Sequence, residues 1–230
     1  MADTNRRQEL FDLAHQVKNY LNFVKSLGVR NLPRVQVPPV DPSVIDSFNE
    51  TLEDIRLDLG DCVRCSLSAS RKRIVFGEGH PKADLMFIGA TPDETDDQEG
   101  RPFSREGSLL TDIIEKGLEI PRGDCYITTV VKCRPPSDRT PQQNEILTCR
   151  PFLFRQITSI RPKIICVLGQ TAAQSLLDST LPLARLRHRF HNLSGFPVMP
   201  TFHPEYIDRH KERKRETWED IKLIKERLRG

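Results

Sequence analysis

Four cysteines have the spacing of a metal site. Cys62 and Cys65 form the pair Cys62-Val63-Arg64-Cys65, and Cys133 and Cys149 bracket a proline-rich loop far downstream. Four thiolates in a two-plus-two layout suit tetrahedral ligation. Zinc and an iron–sulfur cluster both accept such a set, so spacing leaves both open. Cys125 and Cys166 fall inside apolar runs and read as small buried hydrophobes. A chain of 230 residues can build its own core without disulfides. The start, Met1 to Arg7, lacks the apolar stretch of a secretory signal. Reduced thiols on a metal, in the cytoplasm, are therefore expected. No segment approaches the roughly 20 apolar residues of a membrane span. A net charge of +3 says little about a nucleic-acid partner. Nothing in the sequence argues against a monomer.

The elements that must position these cysteines alternate between strand and helix patterns. Leu10, Phe11, Ala14, Val17, Leu21 and Val24 recur at helical spacing, so residues 1–30 read as an amphipathic N-terminal helix. It is a packing element or a site for a protein partner. Residues 31–46, with Pro33, Pro38, Pro39 and Pro42, read as an extended linker. The main domain spans 47–230. Ser47 and Glu50 have the form of a capping box for a helix running through Leu57. Strands are expected at Ala83–Ala90, Cys125–Val131, Lys163–Gly169 and Phe196–Phe202, the first a short apolar run ending in glycine. Helices are expected between them, including one over Pro141–Ile160 kinked or restarted at Pro151, and a charged helix from about Lys211 to Arg229. This is an α/β pattern: a three-layer α/β/α sandwich around a central four-stranded parallel sheet. Ligands of such sheets bind beyond the carboxyl ends of the strands, where Gly89, Ala90, Thr91, Thr129, Gly169 and His203 lie.

Several segments together resemble the family-4 uracil-DNA glycosylases, bacterial and archaeal repair enzymes with a [4Fe–4S] cluster. They are Cys62-Val63-Arg64-Cys65, Val75-Phe76-Gly77-Glu78-Gly79, Gly100-Arg101-Pro102-Phe103, Val130-Val131-Lys132-Cys133-Arg134-Pro135-Pro136, Cys149-Arg150-Pro151-Phe152-Leu153, Val167-Leu168-Gly169 and Pro200-Thr201-Phe202-His203-Pro204. The resemblance covers roughly Leu52 to the C-terminus and leaves out the N-terminal helix and linker. It implies that Cys62, Cys65, Cys133 and Cys149 hold a [4Fe–4S] cluster of architectural rather than catalytic use, with zinc the lesser alternative. It implies that Phe103 stacks on an extruded base and that His203 donates towards the uracil O2. Without the flanking motifs, Phe103 would read as core and His203 as a helix cap.

Two pocket positions depart from the family pattern. An acidic residue is expected where Ala90 stands, in Gly89-Ala90-Thr91-Pro92-Asp93, and an asparagine where Thr129 stands. An asparagine amide both donates and accepts, whereas a hydroxyl offers a single donor on a shorter arm. Discrimination against cytosine is expected to be weaker or to be carried by different groups. Asp93 or Asp96 could position the attacking water; solvated loop charges are the alternative reading. The segment after Phe103 is one residue shorter than the family's. A related subgroup traps uracil covalently through an inserted histidine after the third cysteine, and Arg134–Pro141 contains none.

For DNA, Arg185, Arg187 and Arg189, interleaved with His188, Phe190 and His191, resemble the family's duplex-inserting loop and suit phosphate contact. Arg134, Arg139 and Arg209 could add contacts, while the mixed charges of the C-terminal helix read as a solvated face. The expected function is release of uracil, or another deaminated base, from single- or double-stranded DNA. The alternative is a weakened family member that binds DNA or a protein partner.

Overall fold

The computed structural model describes residues 50–105 and 109–229. The helix and linker expected over 1–46 lie outside the described residues. Strands β1 (Glu78–Gly79), β2 (Leu85–Gly89), β3 (Tyr126–Thr129), β4 (Ile164–Leu168), β5 (His191–Leu193) and β6 (Phe196–Thr201) form one sheet, ordered β1-β3-β2-β4-β6-β5. The inner four pair in parallel, as the apolar runs predict. The sheet has six strands rather than four, because β1 and β5 add antiparallel at its edges. These two are only two and three residues long and half-exposed or exposed, too short to leave a periodic signal.

Alternation along β2 shows why both faces need covering. Met86 and Ile88 face a core shared with Ile165, Val167, Leu153, Ile157 and Leu176; Leu85 and Phe87 face one shared with Leu110, Ile114, Ile221 and Ile224. All four β2 side chains are essentially fully buried, and each such burial is worth about 1.5–3 kcal/mol. Helices α4 (Gln143–Ile160) and α5 (Gln170–Leu177) cover the first face. The second is covered by the short helix α3 (Leu109–Asp112), a π-helical segment (Ile113–Leu118) and α8 (Lys214–Arg229). The result is the expected three-layer sandwich.

Three local details differ from expectation. The first helix among the described residues, α1 (Leu52–Leu59), starts after Thr51, which shares a capping box with Asp54; Ser47 lies outside the described residues. Glu50 instead holds Arg155 of α4 through paired bonds of 2.6 and 2.9 Å. Helix α4 also runs unbroken through Pro151. Proline there removes the bond to the carbonyl of Leu147, and Leu147 is exposed, so water can satisfy that oxygen. The charged C-terminal helix is not only a solvated face: Thr217, Asp220, Ile221 and Ile224 are buried.

Candidate active site and cysteine centre

The cysteines meet where α1, the end of β3 and α4 come together. Cys62, Cys65, Cys133 and Cys149 line one small pocket with Leu59, Ile74, Lys132, Thr148 and Phe152. None is in a disulfide. Three sulfurs lie beside N–H groups: Arg64 Nη1 is 3.4 Å from Cys62 Sγ, Arg71 Nη1 is 3.7 Å from Cys133 Sγ, and the Lys132 backbone N–H donates to Cys149 Sγ at 3.3 Å. Burial pushes the free Cys133 thiol up to about 12, Arg71 opposing the shift. The Lys132 ammonium is buried, donating to Thr128 Oγ1 and the Thr129 carbonyl, and burial lowers its pKa to about 7. Among the described residues, no three His, Cys, Asp or Glu side chains are placed to hold a single metal ion. Cys125, just before β3, and Cys166, in β4, are fully buried, as expected.

The second site lies at the carboxyl edge of the parallel strands. Gly89 ends β2 and pairs with Thr129 at the end of β3. On the other side Gly169, just past β4, donates to the Thr201 carbonyl at 2.8 Å, and His203 follows β6 by two residues. A β-carbon on Gly169 would meet that of His203 at 3.3 Å, and one on Gly89 would meet the Phe103 ring at 2.8 Å. Both glycines let a site side chain approach the sheet backbone. Phe103 and His203 thus face each other, with ring centroids 5.4 Å apart. Phe103 has φ +50°, a left-handed conformation that costs a bulky residue about 1–3 kcal/mol.

His203 is the N-cap of α7 (Pro204–Arg209): its Nδ1 accepts the Glu205 backbone N–H at 3.3 Å. Burial also lowers its pKa, against opposing effects of Glu205 and Asp93. Both features keep the ring neutral, with its one proton on Nε2. The bond that caps the helix thus also fixes the tautomer of the ring.

The two candidate acids separate. Asp93 caps the short helix α2 (Glu94–Glu99), its Oδ1 accepting the Asp96 N–H at 2.8 Å. Its Oδ2 has the exposed Arg105 at 3.6 Å. Asp96 is buried, and both its oxygens are committed: Oδ1 accepts from Ser104 N and Oγ at 2.8 and 3.0 Å, Oδ2 from Asp93 N at 3.4 Å. Asp96 therefore anchors the Phe103 loop. Thr91 and Ala90 are half-buried before α2, and Ala90 lends its carbonyl to the Val131 N–H. Thr129 is fully buried and donates its hydroxyl proton to the Val131 carbonyl at 2.8 Å, leaving its oxygen only as an acceptor.

The arginines also divide. Arg187, 10% exposed, binds Asp220 and Glu216 of α8 and lies over the Phe202 ring. Arg139 forks onto the buried Glu145, and Arg134 onto Asp138. Arg185, Arg189 and Arg209 are exposed. Sequence reasoning missed the aromatic ladder beside Arg209: Phe202 stacks on Tyr206 and Tyr206 on His210, at 5.4 and 4.3 Å. It also missed Arg122, which bonds Glu78, Pro102 and Phe103; the only signal was Glu78 inside a matched motif.

With this geometry in hand, comparison with known proteins is decisive. Residues 76–222 match the family model of the uracil DNA glycosylase superfamily. A type-4 uracil-DNA glycosylase of Saccharolobus solfataricus is 39% identical over 188 residues, covering 78% of this chain and 87% of that protein. The chain belongs to the type-4 uracil-DNA glycosylase family. Two other type-4 uracil-DNA glycosylases agree. That of Sulfurisphaera tokodaii is 37% identical, covering 77% of this chain and 84% of its own. That of Thermotoga maritima is 39% identical, covering 76% and 94%. No helix among the described residues is long and apolar enough to cross a membrane.

Proposed function

We infer that the protein excises uracil from DNA by hydrolysing its N-glycosidic bond, leaving an abasic site. The observation that carries this reading is the facing pair Phe103 and His203 at the carboxyl edge of the sheet, the histidine neutral with its proton on Nε2. Extruding a nucleotide costs a few kcal/mol, which a shaped pocket must offset. Phe103 stacks on the extruded base. His203 Nε2–H donates to the uracil O2 as negative charge develops on the leaving base, with no proton transfer required. Asp93, whose Oδ2 faces the exposed Arg105 at 3.6 Å, positions the water that captures the sugar cation; Asp96 holds the loop. Gly89, Ala90 and Thr91 supply backbone around the base, and the buried Thr129 fixes the end of β3 through its bond to the Val131 carbonyl. Exposed Arg185, Arg189 and Arg209 bind phosphates, assisted by the Tyr206–His210 surface.

Cys62, Cys65, Cys133 and Cys149 hold a [4Fe–4S] cluster in this proposal. Their donor set fits: four thiols on one pocket, N–H groups beside three sulfurs, and Arg64, Arg71 and Lys132 to balance thiolate charge. Zinc is the lesser alternative for the same four thiols. When bound, the cluster supplies a covalent tie between α1, β3 and α4 and no step of the hydrolysis. The reading of a binding module without activity is disfavoured, because the departures at Ala90 and Thr129 leave Phe103 and His203 in place. Incubation with uracil-containing oligonucleotides, followed by alkaline cleavage, tests activity. Strand breaks at uracil are expected; intact strands with ordinary DNA binding would favour the binding module.

A further inference from the structure

Among the described residues Phe103 is the only apolar side chain with a left-handed backbone. Nothing in its own chemistry favours that conformation, so its surroundings must impose it. The peptide groups on either side of Phe103 define its φ and ψ, and both are held. Arg122 Nη2 donates to the Pro102 carbonyl at 3.1 Å and to the Phe103 carbonyl at 3.2 Å. On the opposite side Asp96 takes the Ser104 N–H at 2.8 Å. One guanidinium nitrogen thus holds both peptide planes, its two N–H groups shared among these carbonyls and Glu78, and Asp96 fixes the second from its other end.

The guanidinium is itself oriented. Glu78 Oε1 accepts from Arg122 Nη2 at 2.9 Å, and the two side chains are 28% and 20% exposed. Glu78 sits on edge strand β1, opposite Ile127 of β3, and Arg122 on the turn that leads into β3. The clamp is therefore rooted on the sheet rather than on the loop it holds. That root explains why the two-residue strand β1 matters: it places one carboxylate. We propose that Arg122, oriented by Glu78, is a positioning residue that sets Phe103 as the stacking platform for the extruded base. The proposal rests on the uracil-release reading above.

A double-mutant cycle tests it, with single-turnover uracil release at saturating enzyme as the readout. Arg122→Ala is expected to slow release about 10–100-fold, the scale of a misplaced site group. Affinity for DNA carrying an abasic site should stay within about twofold. Arg122→Lys, keeping the charge on a shorter stem without the planar fork, should fall between the two. Phe103→Ala/Arg122→Ala should be no slower than Phe103→Ala alone, because the arginine acts through the ring. Losses that multiply in the double variant, or an Arg122→Ala protein as fast as wild type, would overturn the positioning role alone. A wild type that releases no uracil would sink the functional reading and the proposal with it. Should Arg122→Ala fail to fold, Glu78→Gln and Arg122→Lys run the same cycle against Phe103→Ala, with the same outcomes deciding.

Discussion

The cysteine region and the base pocket are built on opposite plans. Around the cysteines the polar groups are tied off. Three sulfurs have N–H neighbours, and the buried Glu145 is held by Arg139, Ser66 and the Gln142 backbone. Arg155 locks α4 to Glu50 and Asp58. The pocket instead carries strain and slack: Phe103 is left-handed, two glycines leave room for side chains, and Asp93 Oδ2 faces an exposed arginine at 3.6 Å. Strain and uncommitted polar groups collect where a site must bind something. Changes in the cysteine region should therefore be felt as stability, and changes in the pocket as rate.

The largest stability effect is expected from Cys133→Ser. Iron and sulfide per chain should fall together with the melting temperature, by more than 10 °C, or several kcal/mol at about 2–4 °C per kcal/mol. Full iron content at an unchanged melting temperature would break the contrast. Next is Arg187→Ala, outside the cysteine region but of the tied-off kind. It leaves the fully buried Asp220 carboxylate with Thr201 at 2.7 Å and His188 at 3.5 Å, a loss of about 3–5 kcal/mol by thermal or denaturant unfolding. Arg189→Ala, exposed, should leave stability alone and reduce the salt slope of DNA binding by about one. If the two variants show the same salt slope change, the division among the arginines is wrong.

On the pocket side, Gly89→Ala places a β-carbon 2.8 Å from the Phe103 ring. Uracil release should drop about 10–100-fold, while stability falls by only about 1–3 kcal/mol. That loss of stability with an unchanged rate of release would erase the distinction between regions. Thr129→Val is the smallest change. Its hydroxyl already serves the Val131 carbonyl, so the main effect should be about 1 kcal/mol of stability, with release within about threefold. A larger rate loss would show that the hydroxyl turns to the base when DNA binds.

Much of this division was legible in the sequence. The inner strands declared themselves because β2 and β4 are buried on both faces and must be continuously apolar. The motifs also singled out the four cysteines that share one pocket, and the facing rings of Phe103 and His203. What stayed hidden depends on partners distant in sequence. Nothing near Arg187 signals that Glu216 and Asp220 will bury it 29 and 33 residues on. Asp96 reads as a loop acid until Ser104 is seen to occupy it. The left-handed backbone of Phe103 follows from Arg122, 19 residues away, and no local propensity predicts it. Edge strands β1 and β5 were too short for periodicity.

The central claim is that a neutral His203, its proton on Nε2, stabilises the departing uracil. Burial holds its pKa below the ordinary value near 6.5. The unfolded chain therefore takes up this proton first as pH falls, so the ring's contribution to stability is present at neutral pH and lost on acidification. Single-turnover release, measured from pH 6 to 8.5 for wild type and His203→Ala, tests the claim most directly. Wild type should hold its rate as pH rises through this range, and His203→Ala should be slower by about 10²–10³-fold throughout. A wild-type rate that falls tenfold per pH unit above 6.5, or a His203→Ala variant as fast as wild type, would contradict it.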